Sequence, residues 1–153
     1  MSSCLTTQTP IGLIGIHGSK SITKITWTKR NAKSHLPELR RAQEQITAYF
    51  AGSLFRFDLL LEPSGTVFQR EVWEQILSIP YGKTVYYGDL AGALSTSPRA
   101  VGGACAKNPI PLLIPCHRVV GKTGALTGYS GGGGLRTKQV LLSLEQTVTT
   151  HTG

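Results

Sequence analysis

Short β-rich runs and one amphipathic helix dominate the first third of the chain. Apolar and β-branched residues fill 11–16 and 21–27, and Gly18-Ser19 between them predicts a β-hairpin. Apolar side chains then recur at helical spacing over 36–50, which predicts a helix. A further apolar run at 55–61 predicts another strand. The pattern indicates a small unit of sheet and helix that carries no obvious chemistry.

Turn residues divide the chain after this unit. Residues 62–65 read Glu-Pro-Ser-Gly, a composition typical of a boundary, so we expect one unit over 1–62 and a second over 63–153. Thr66 and Gln69 then have the spacing of a capping box in front of an apolar helical face. The second unit is therefore expected to begin with a helix.

A helix-turn-helix candidate follows. Residues 87–94 and 98–106 have helical patterns, and the polar residues 95–97 separate them. Ser97 can cap the second helix, and Pro98 suits its first position. An ordinary helical hairpin produces the same pattern, so this spacing alone leaves DNA contact open.

The second of these helices is built mostly of small residues. A helix that reads sequence in the major groove carries long polar side chains, and few are present here. The adjacent Gly102 and Gly103 each cost roughly 1 kcal/mol relative to alanine, so something must approach this backbone closely. A narrow minor groove of DNA and a tightly packed neighbouring helix both fit this pattern.

The charge balance favours a polyanionic partner. The chain has 16 Lys and Arg residues against 8 Asp and Glu residues, a net charge of +8, and DNA or RNA is the usual partner of such a surplus. The alternative is a basic surface that only faces solvent. A hydrophobic content of 40% with 16% charged residues indicates a globular fold.

Cysteine usage and hydropathy indicate the compartment. Cys4, Cys105 and Cys116 form no CxxC pair, which argues against a disulfide framework and against a zinc finger. No apolar run approaches the ~20 residues of a membrane span, and the polar N-terminus lacks a signal-peptide pattern. We therefore expect a soluble cytoplasmic protein, nuclear if the source is eukaryotic, that binds no membrane and no metal.

The strongest chemical signal is a cysteine beside a histidine. The apolar run 110–114 leads into Pro115, Cys116 and His117, which suggests an activated thiol between buried strand residues. The thiolate is the attacking species, and a neighbouring base must populate it at neutral pH. Neighbours in a strand point to opposite faces, so a bend at Pro115 or a relaying water would be needed. A buried inert cysteine is the plain alternative.

One carboxylate can serve that histidine from the second half of the chain. Glu145 is the sole Asp or Glu between Ala91 and Gly153, and a histidine base commonly needs a carboxylate to orient it. Apolar spacing predicts a helix over 135–144 that Glu145 closes, and a carboxylate at that end opposes the helix dipole. We therefore expect Glu145 to be bound elsewhere, although a solvated surface glutamate is the alternative.

The wider motif resembles the O6-alkylguanine-DNA alkyltransferase family. The Pro-Cys-His-Arg-Val run at 115–119 is the most specific part, and the likeness is strong over 68–145 but loose over 9–61. The matching residues are Phe68, Gln69, Val72, Trp73, 79–82, Tyr87, Leu90, Ala91, 99–102, Asn108, Pro109, 114–119, Gly128, Tyr129, Lys138, Leu141, Leu142 and Glu145.

The resemblance implies a fold and an activity. The fold is α/β (α+β), with a ribonuclease H-like N-terminal antiparallel sheet plus helix and a mainly helical C-terminal domain that contains a winged helix-turn-helix. The activity is DNA repair by irreversible, single-turnover alkyl transfer from O6-alkylguanine, and also O4-alkylthymine, to a cysteine. It implies a monomer that binds the minor groove of double-stranded DNA and uses no cofactor. Some relatives hold a structural zinc, but Cys4 alone precedes Cys105, so we expect none.

The same resemblance assigns the chemistry to four residues. Cys116 would accept the alkyl group, and His117 would take the thiol proton through a water. Glu145 would complete the relay. Tyr87 would donate a proton or hydrogen bond to the base and press on its phosphate. The product is a thioether, from which thiolate is a poor leaving group, so each molecule should act once.

Further residues would bind DNA and the flipped base. Arg99 would fill the gap in the duplex, with Ala100 and Gly103 on the same helix contacting DNA. The hinge and base pocket would comprise Asn108, the Val119 carbonyl, Tyr129 and Ser130. The glycine run 131–134 is about two residues longer than the family pattern, which leaves the pose of this loop and the accepted alkyl size open.

Three rival functions remain. A non-catalytic alkyltransferase-like protein would bind damaged DNA but would lack the acceptor, whereas Cys116 is present. A helix-turn-helix regulator is disfavoured by the small residues of the second helix. A cysteine hydrolase built on Cys116, His117 and Glu145 would also need an oxyanion hole, which a sequence does not reveal.

Overall fold

The N-terminal part folds as an antiparallel sheet covered by one helix. The structure is a computed structural model that describes residues 3–122, 129 and 131–152. The three strands pair in chain order, with Leu5 opposite Ile16 and Ile16 opposite Ile25, which brings apolar side chains onto one face. The elements are β1 (Ser3–Thr9), β2 (Gly12–Gly18), β3 (Ile22–Trp27) and α1 (Pro37–Phe50).

The predicted hairpin and first helix are confirmed, but the strand predicted over 55–61 is wrong. Only Leu61 of this run bridges to the sheet, at Ile22. The reason lies in α1, whose polar side chains satisfy the backbone of the run: Arg41 Nη2 and Gln45 Nε2 donate to the carbonyl oxygen of Asp58, at 2.8 Å and 3.0 Å. Because these backbone groups already have side-chain hydrogen-bond partners, they do not require pairing with a neighbouring strand.

The C-terminal part is mainly helical. The predicted capping box is confirmed, since Gln69 N donates to Thr66 Oγ1 and Thr66 N donates to Gln69 Oε1, both at 3.0 Å. β4 and β5 form a short parallel pair. The elements are α2 (Val67–Leu77), β4 (Val85–Tyr86), α3 (Tyr87–Ala93), α4 (Pro98–Ala106), a 3₁₀ turn (Cys116–Arg118), β5 (Val119–Val120) and α5 (Leu135–Thr152).

Two expectations about this part are wrong. Cys116 lies in the 3₁₀ turn and not in a strand, so the alternation argument for its neighbour does not apply. Helix α5 continues to Thr152, which places Glu145 inside the helix and removes the dipole argument. The residues after Leu144 are mostly polar, so their sequence carries no apolar periodicity to predict the extension.

The two parts share one apolar core. A single cluster of buried hydrophobic side chains runs from the sheet through α1 to α2, α4 and α5. Ile25 N at the edge of β3 donates to the carbonyl of Pro109 at 2.9 Å, and Trp73 Nε1 donates to the carbonyl of Ala104 at 2.9 Å. The described residues form a mixed α/β fold with a three-stranded antiparallel sheet and five helices. None of the helices in this described part is both long and apolar enough to cross a membrane.

Candidate active site

Asn108 fixes the thiol of Cys116 at the start of the 3₁₀ turn. Cys116 is 1% exposed, and Asn108 Nδ2 donates to its Sγ at 3.2 Å. The same amide donates to the carbonyl of Ile114 at 3.0 Å, and its Oδ1 accepts from Ile110 N at 2.9 Å. Asn108 closely follows α4, so one amide ties the end of that helix to the turn that carries the thiol.

Glu145 determines which imidazole nitrogen of His117 carries the proton. His117 Nε2 lies 2.7 Å from Glu145 Oε2, and both side chains are at most 1% exposed. An ionised carboxylate only accepts hydrogen bonds, so Nε2 is the protonated nitrogen and Nδ1 keeps its lone pair. Nδ1 is buried and has no hydrogen-bond partner among the described residues. The ring therefore presents a buried nitrogen that can accept a proton.

The carboxylate is held by several further donors. Arg118 Nε donates to Oε1 at 2.9 Å and Arg118 Nη2 to Oε2 at 3.1 Å, while Gly82 N donates to Oε1 at 3.2 Å. Tyr49 Oη on α1 donates to Oε2 at 2.7 Å. The sequence interpretation assigned no role to Tyr49 or Arg118. Little in the sequence indicated either role. Tyr49 fits the apolar face of α1, and Arg118 follows the Cys-His pair, which drew the chemical interpretation.

Burial and hydrogen bonding shift the ionisation of this site in opposite directions. Burial by itself would raise the pKa of Glu145, but the hydrogen bonds from His117 and Arg118 outweigh it and lower that pKa to about 2. Burial lowers the pKa of His117, against the opposing effect of Glu145. Burial raises the pKa of Cys116 well above its ordinary value. Burial therefore opposes the expected thiolate, so a base has to remove the proton of Cys116 if the sulfur is to react.

A buried lysine connects Tyr87 to Val119. Lys138 is 0% exposed, and its Nζ donates to the carbonyl of Val119 at 2.6 Å and to Tyr87 Oη at 3.2 Å. Burial lowers the pKa of Lys138. The sequence interpretation gave Lys138 no role, although Lys138, Leu141 and Glu145 share one face of α5 at i, i+3 and i+7, which is a signal for inward-facing charges.

Tyr129 interacts electrostatically with the active site. Burial raises its pKa, and the nearby Cys116 and Glu145 act in the same direction. Its hydroxyl is buried and has no hydrogen-bond partner among the described residues. Ser130, which was predicted to act with it, lies outside the described residues.

The predicted DNA-contacting residues lie on α4. Arg99 and Gly103 are exposed and Ala100 is partly exposed, while Ser97 Oγ caps the helix by accepting from Ala100 N at 3.1 Å. A Cβ built on Gly103 meets no atom within 4 Å, and one on Gly102 meets only Tyr87 Cε1, at 4.0 Å. Close packing of a neighbouring helix therefore does not explain these glycines.

A histidine lies next to Cys4 on the N-terminal sheet. Cys4 Sγ lies 3.7 Å from His17 Nε2, which is also 2.8 Å from Thr26 Oγ1. Within the described part of the chain, no three His, Cys, Asp or Glu side chains cluster as metal ligands would.

Comparison with known proteins identifies the family. Residues 67–147 match the model of the 6-O-methylguanine DNA methyltransferase DNA-binding domain. A methylated-DNA–protein-cysteine methyltransferase of Methanosarcina acetivorans is 42% identical over 149 residues, which cover 90% of this chain and 94% of the relative.

Solved structures extend the match to the fold. The O6-methylguanine methyltransferase of Mycobacterium tuberculosis superposes with a TM-score of 0.86 at 38% identity, over 96% of this chain and 94% of that one. A structure from the same organism in complex with DNA gives a TM-score of 0.84 at 40% identity, over 95% of this chain and 93% of that one. With a family match over more than half its length and relatives above 40% identity, the chain belongs to the 6-O-methylguanine DNA methyltransferase family.

Proposed function

We propose that this protein repairs DNA by transferring an alkyl group from O6 of guanine, and also from O4 of thymine, to Sγ of Cys116. The observation that carries the proposal is the fixed tautomer of His117, since a buried Nδ1 lone pair on the residue next to a buried thiol can accept the thiol proton through a water. Asn108 holds the sulfur on the same turn. The name of the Methanosarcina relative describes the same chemistry.

In the proposed step the bond from sulfur to the alkyl carbon forms while the bond from that carbon to guanine O6 breaks. The thiol proton passes through a water to His117 Nδ1, and Glu145 holds the imidazole in place. Negative charge develops on the departing base, and Tyr87 Oη supplies a proton or hydrogen bond there. Lys138 at 3.2 Å from that hydroxyl favours the donation. The thioether product has no evident route back to a thiol, so one molecule acts once and uses no cofactor.

DNA binding is assigned to the exposed face of α4. A reactive atom inside the base stack can be reached only if the nucleotide is flipped out. Arg99 fills the resulting gap, and Ala100 and Gly103 admit the backbone of a minor groove. The exposed, unpacked surface at Gly103 supports this arrangement. The Val119 carbonyl, Tyr129 and Ser130 form the base pocket, with Asn108 as the hinge.

Finer aspects of the organisation belong to the same proposal. Residues 1–62 would form a ribonuclease H-like support, and residues 63–153 a winged helix-turn-helix domain that binds DNA and reacts. The partner is double-stranded DNA with alkylated bases, bound by a monomer. Chromosomal DNA and a reduced thiol are both required, which favours a cytoplasmic or nuclear site of action.

Mass spectrometry of the protein after incubation with an O6-methylguanine duplex tests the proposal. We expect one added methyl group, on Cys116, and no more than one per molecule. Cys116→Ser should bind the duplex with the affinity of the wild type but gain no methyl, and Cys4→Ser, on the N-terminal sheet, is the matched control that should still be methylated. Binding without transfer by the wild type would favour the non-catalytic alternative, and methylation of Cys105 would overturn the assignment of the acceptor.

A further inference from the structure

The sheet of the N-terminal part reaches the loop beside the active site through one tryptophan. Trp27 ends β3, and its Nε1 donates to the carbonyl of Ile11 at 2.8 Å. The indole is also covered by glycine backbone: a Cβ on Gly131 would lie 2.9 Å from Trp27 Cη2. A Cβ on Gly132 would lie 2.7 Å from Trp27 Cδ2 and 2.8 Å from Trp27 Cβ. Real Cβ atoms essentially never approach so closely, so a side chain at either position would require its neighbours to shift.

Gly131 is also in contact with Tyr129. A Cβ on Gly131 would lie 2.9 Å from Tyr129 Cζ and still closer to Tyr129 Cε2. The backbone at Gly131 is therefore enclosed between the indole and the phenol ring. Gly133 and Gly134 have positive φ, at 84° and 53°, and turn the chain from this contact into α5.

We propose that Trp27 is a positioning residue for alkyl transfer: its indole, anchored on the N-terminal sheet, holds Gly131 and Gly132 so that Tyr129 covers the alkylated base beside Cys116. The inference rests on the proposed function and assigns a purpose to the first 62 residues. It also gives a reason for the long glycine run, because a large planar side chain under the loop requires residues without Cβ atoms.

A double-mutant cycle between Trp27 and Gly132 tests the contact. The variants are Trp27→Ala, Gly132→Ala and the double variant, with Trp27→Phe as the conservative change and Leu60→Ala, an exposed position, as the control. The measurement is the single-turnover rate of methyl transfer to Cys116 against duplex concentration. Because misplacement of a positioning group costs up to ~100-fold, we expect Trp27→Ala and Gly132→Ala each to lower the maximal rate ~10- to ~100-fold.

The affinity for undamaged duplex separates positioning from general damage to the fold, and it should remain within about twofold of the wild type, because α4 is untouched. Trp27→Phe keeps Cβ and Cγ against Gly132 and should recover part of the rate. In the double variant the methyl group added at position 132 meets the small side chain that replaces the indole. Its rate should therefore equal that of Trp27→Ala and should exceed the rate predicted by multiplying the losses of the two single variants. Independent, multiplicative losses would overturn the inference, as would a Trp27→Ala rate within twofold of the wild type.

Unfolding free energies of the wild type, the two single variants and the double variant provide a readout that needs no activity. A methyl group on Gly132 should destabilise the protein while the indole is present and should have little effect in the Trp27→Ala background, which gives a nonzero coupling. Additive unfolding free energies would show that Trp27 and Gly132 do not interact, and so would overturn the inference, even in a protein that transfers no methyl group. Failure of the wild type to transfer, with the coupling intact, would instead overturn the proposed function.

Discussion

Replacing Glu145 by glutamine isolates the charge at the centre of the buried network. The amide keeps the shape of the side chain, so the perturbation is the loss of one negative charge among three neighbouring polar side chains. Arg118 is only 7% exposed and donates two hydrogen bonds to this carboxylate. In the variant its largely buried guanidinium faces a neutral amide.

The unfolding free energy lost in Glu145→Gln follows from two separate quantities. The pKa of Glu145 falls from its ordinary 4.5 to about 2, and at about 1.4 kcal/mol per pH unit this difference is worth about 3 kcal/mol of unfolding free energy. Separately, leaving one partner of a buried ion pair without its counter-charge costs about 3–5 kcal/mol. Since the folded-state pKa is the lower one, this contribution is complete above pH 4.5 and is lost as the pH falls towards about 2.

Urea unfolding of the wild type and Glu145→Gln at several pH values measures this contribution. At pH 7 we expect the variant to be less stable by about 3 kcal/mol, and we expect the difference to shrink steadily below pH 4.5. Glu74→Gln, on the exposed side of α2, is the matched control and should stay within about 0.5 kcal/mol of the wild type. A difference that is the same at pH 7 and pH 3 would refute the reasoning, because it would assign the loss to shape and not to charge.

Four further outcomes follow from the site. Tyr49→Phe removes one hydrogen bond to a charged acceptor and should cost about 1.5–3 kcal/mol in urea unfolding, whereas an unchanged midpoint would contradict the bond. Asn108→Ala leaves buried groups unpaired and should cost about 1–3 kcal/mol for each, with a lower melting temperature as the readout. Arg99→Ala should slow transfer from duplex DNA but not from a free O6-methylguanine base, and equal slowing of both would contradict its role in the duplex. The transfer rate should be flat between about pH 6.5 and 9.0, because the pKa of His117 lies below this window and that of Cys116 above it, and a rise across it would indicate a titrating thiol.

The local sequence was sufficient for the elements that depend on neighbours along the chain. The hairpin, α1 and the capping box at Thr66 each depend on a few adjacent residues, and all are confirmed. The 55–61 run failed for the opposite reason, because side chains from α1 took its backbone hydrogen bonds. β1 was not predicted because most of its residues are polar and give no apolar strand pattern, although Leu5 is buried in the core.

The residues of the candidate site were also only partly predictable from the sequence. Scarcity of acids pointed to Glu145, and the structure brings its carboxylate against His117. Tyr49, 96 residues away in sequence, carried no such signal, since a tyrosine on an apolar helical face is expected to pack. The protonation state of Cys116 was also beyond the sequence, because it depends on burial, which a Cys-His pair does not encode.

The hydrogen bonds to Glu145 restrict what this residue can do in the reaction. With a pKa of about 2, its carboxylate does not take a proton from an imidazolium at neutral pH. In the proposed reaction a proton that leaves the thiol would therefore stop at His117, and Glu145 would orient the ring and stabilise the positive charge that forms there, as the carboxylate of a catalytic triad does. Arg118 opposes that same charge and lowers the pKa of His117, after the larger effect of burial. Under the proposed mechanism the imidazolium would form as the alkyl carbon leaves guanine, so deprotonation of the thiol would be coupled to arrival of the substrate.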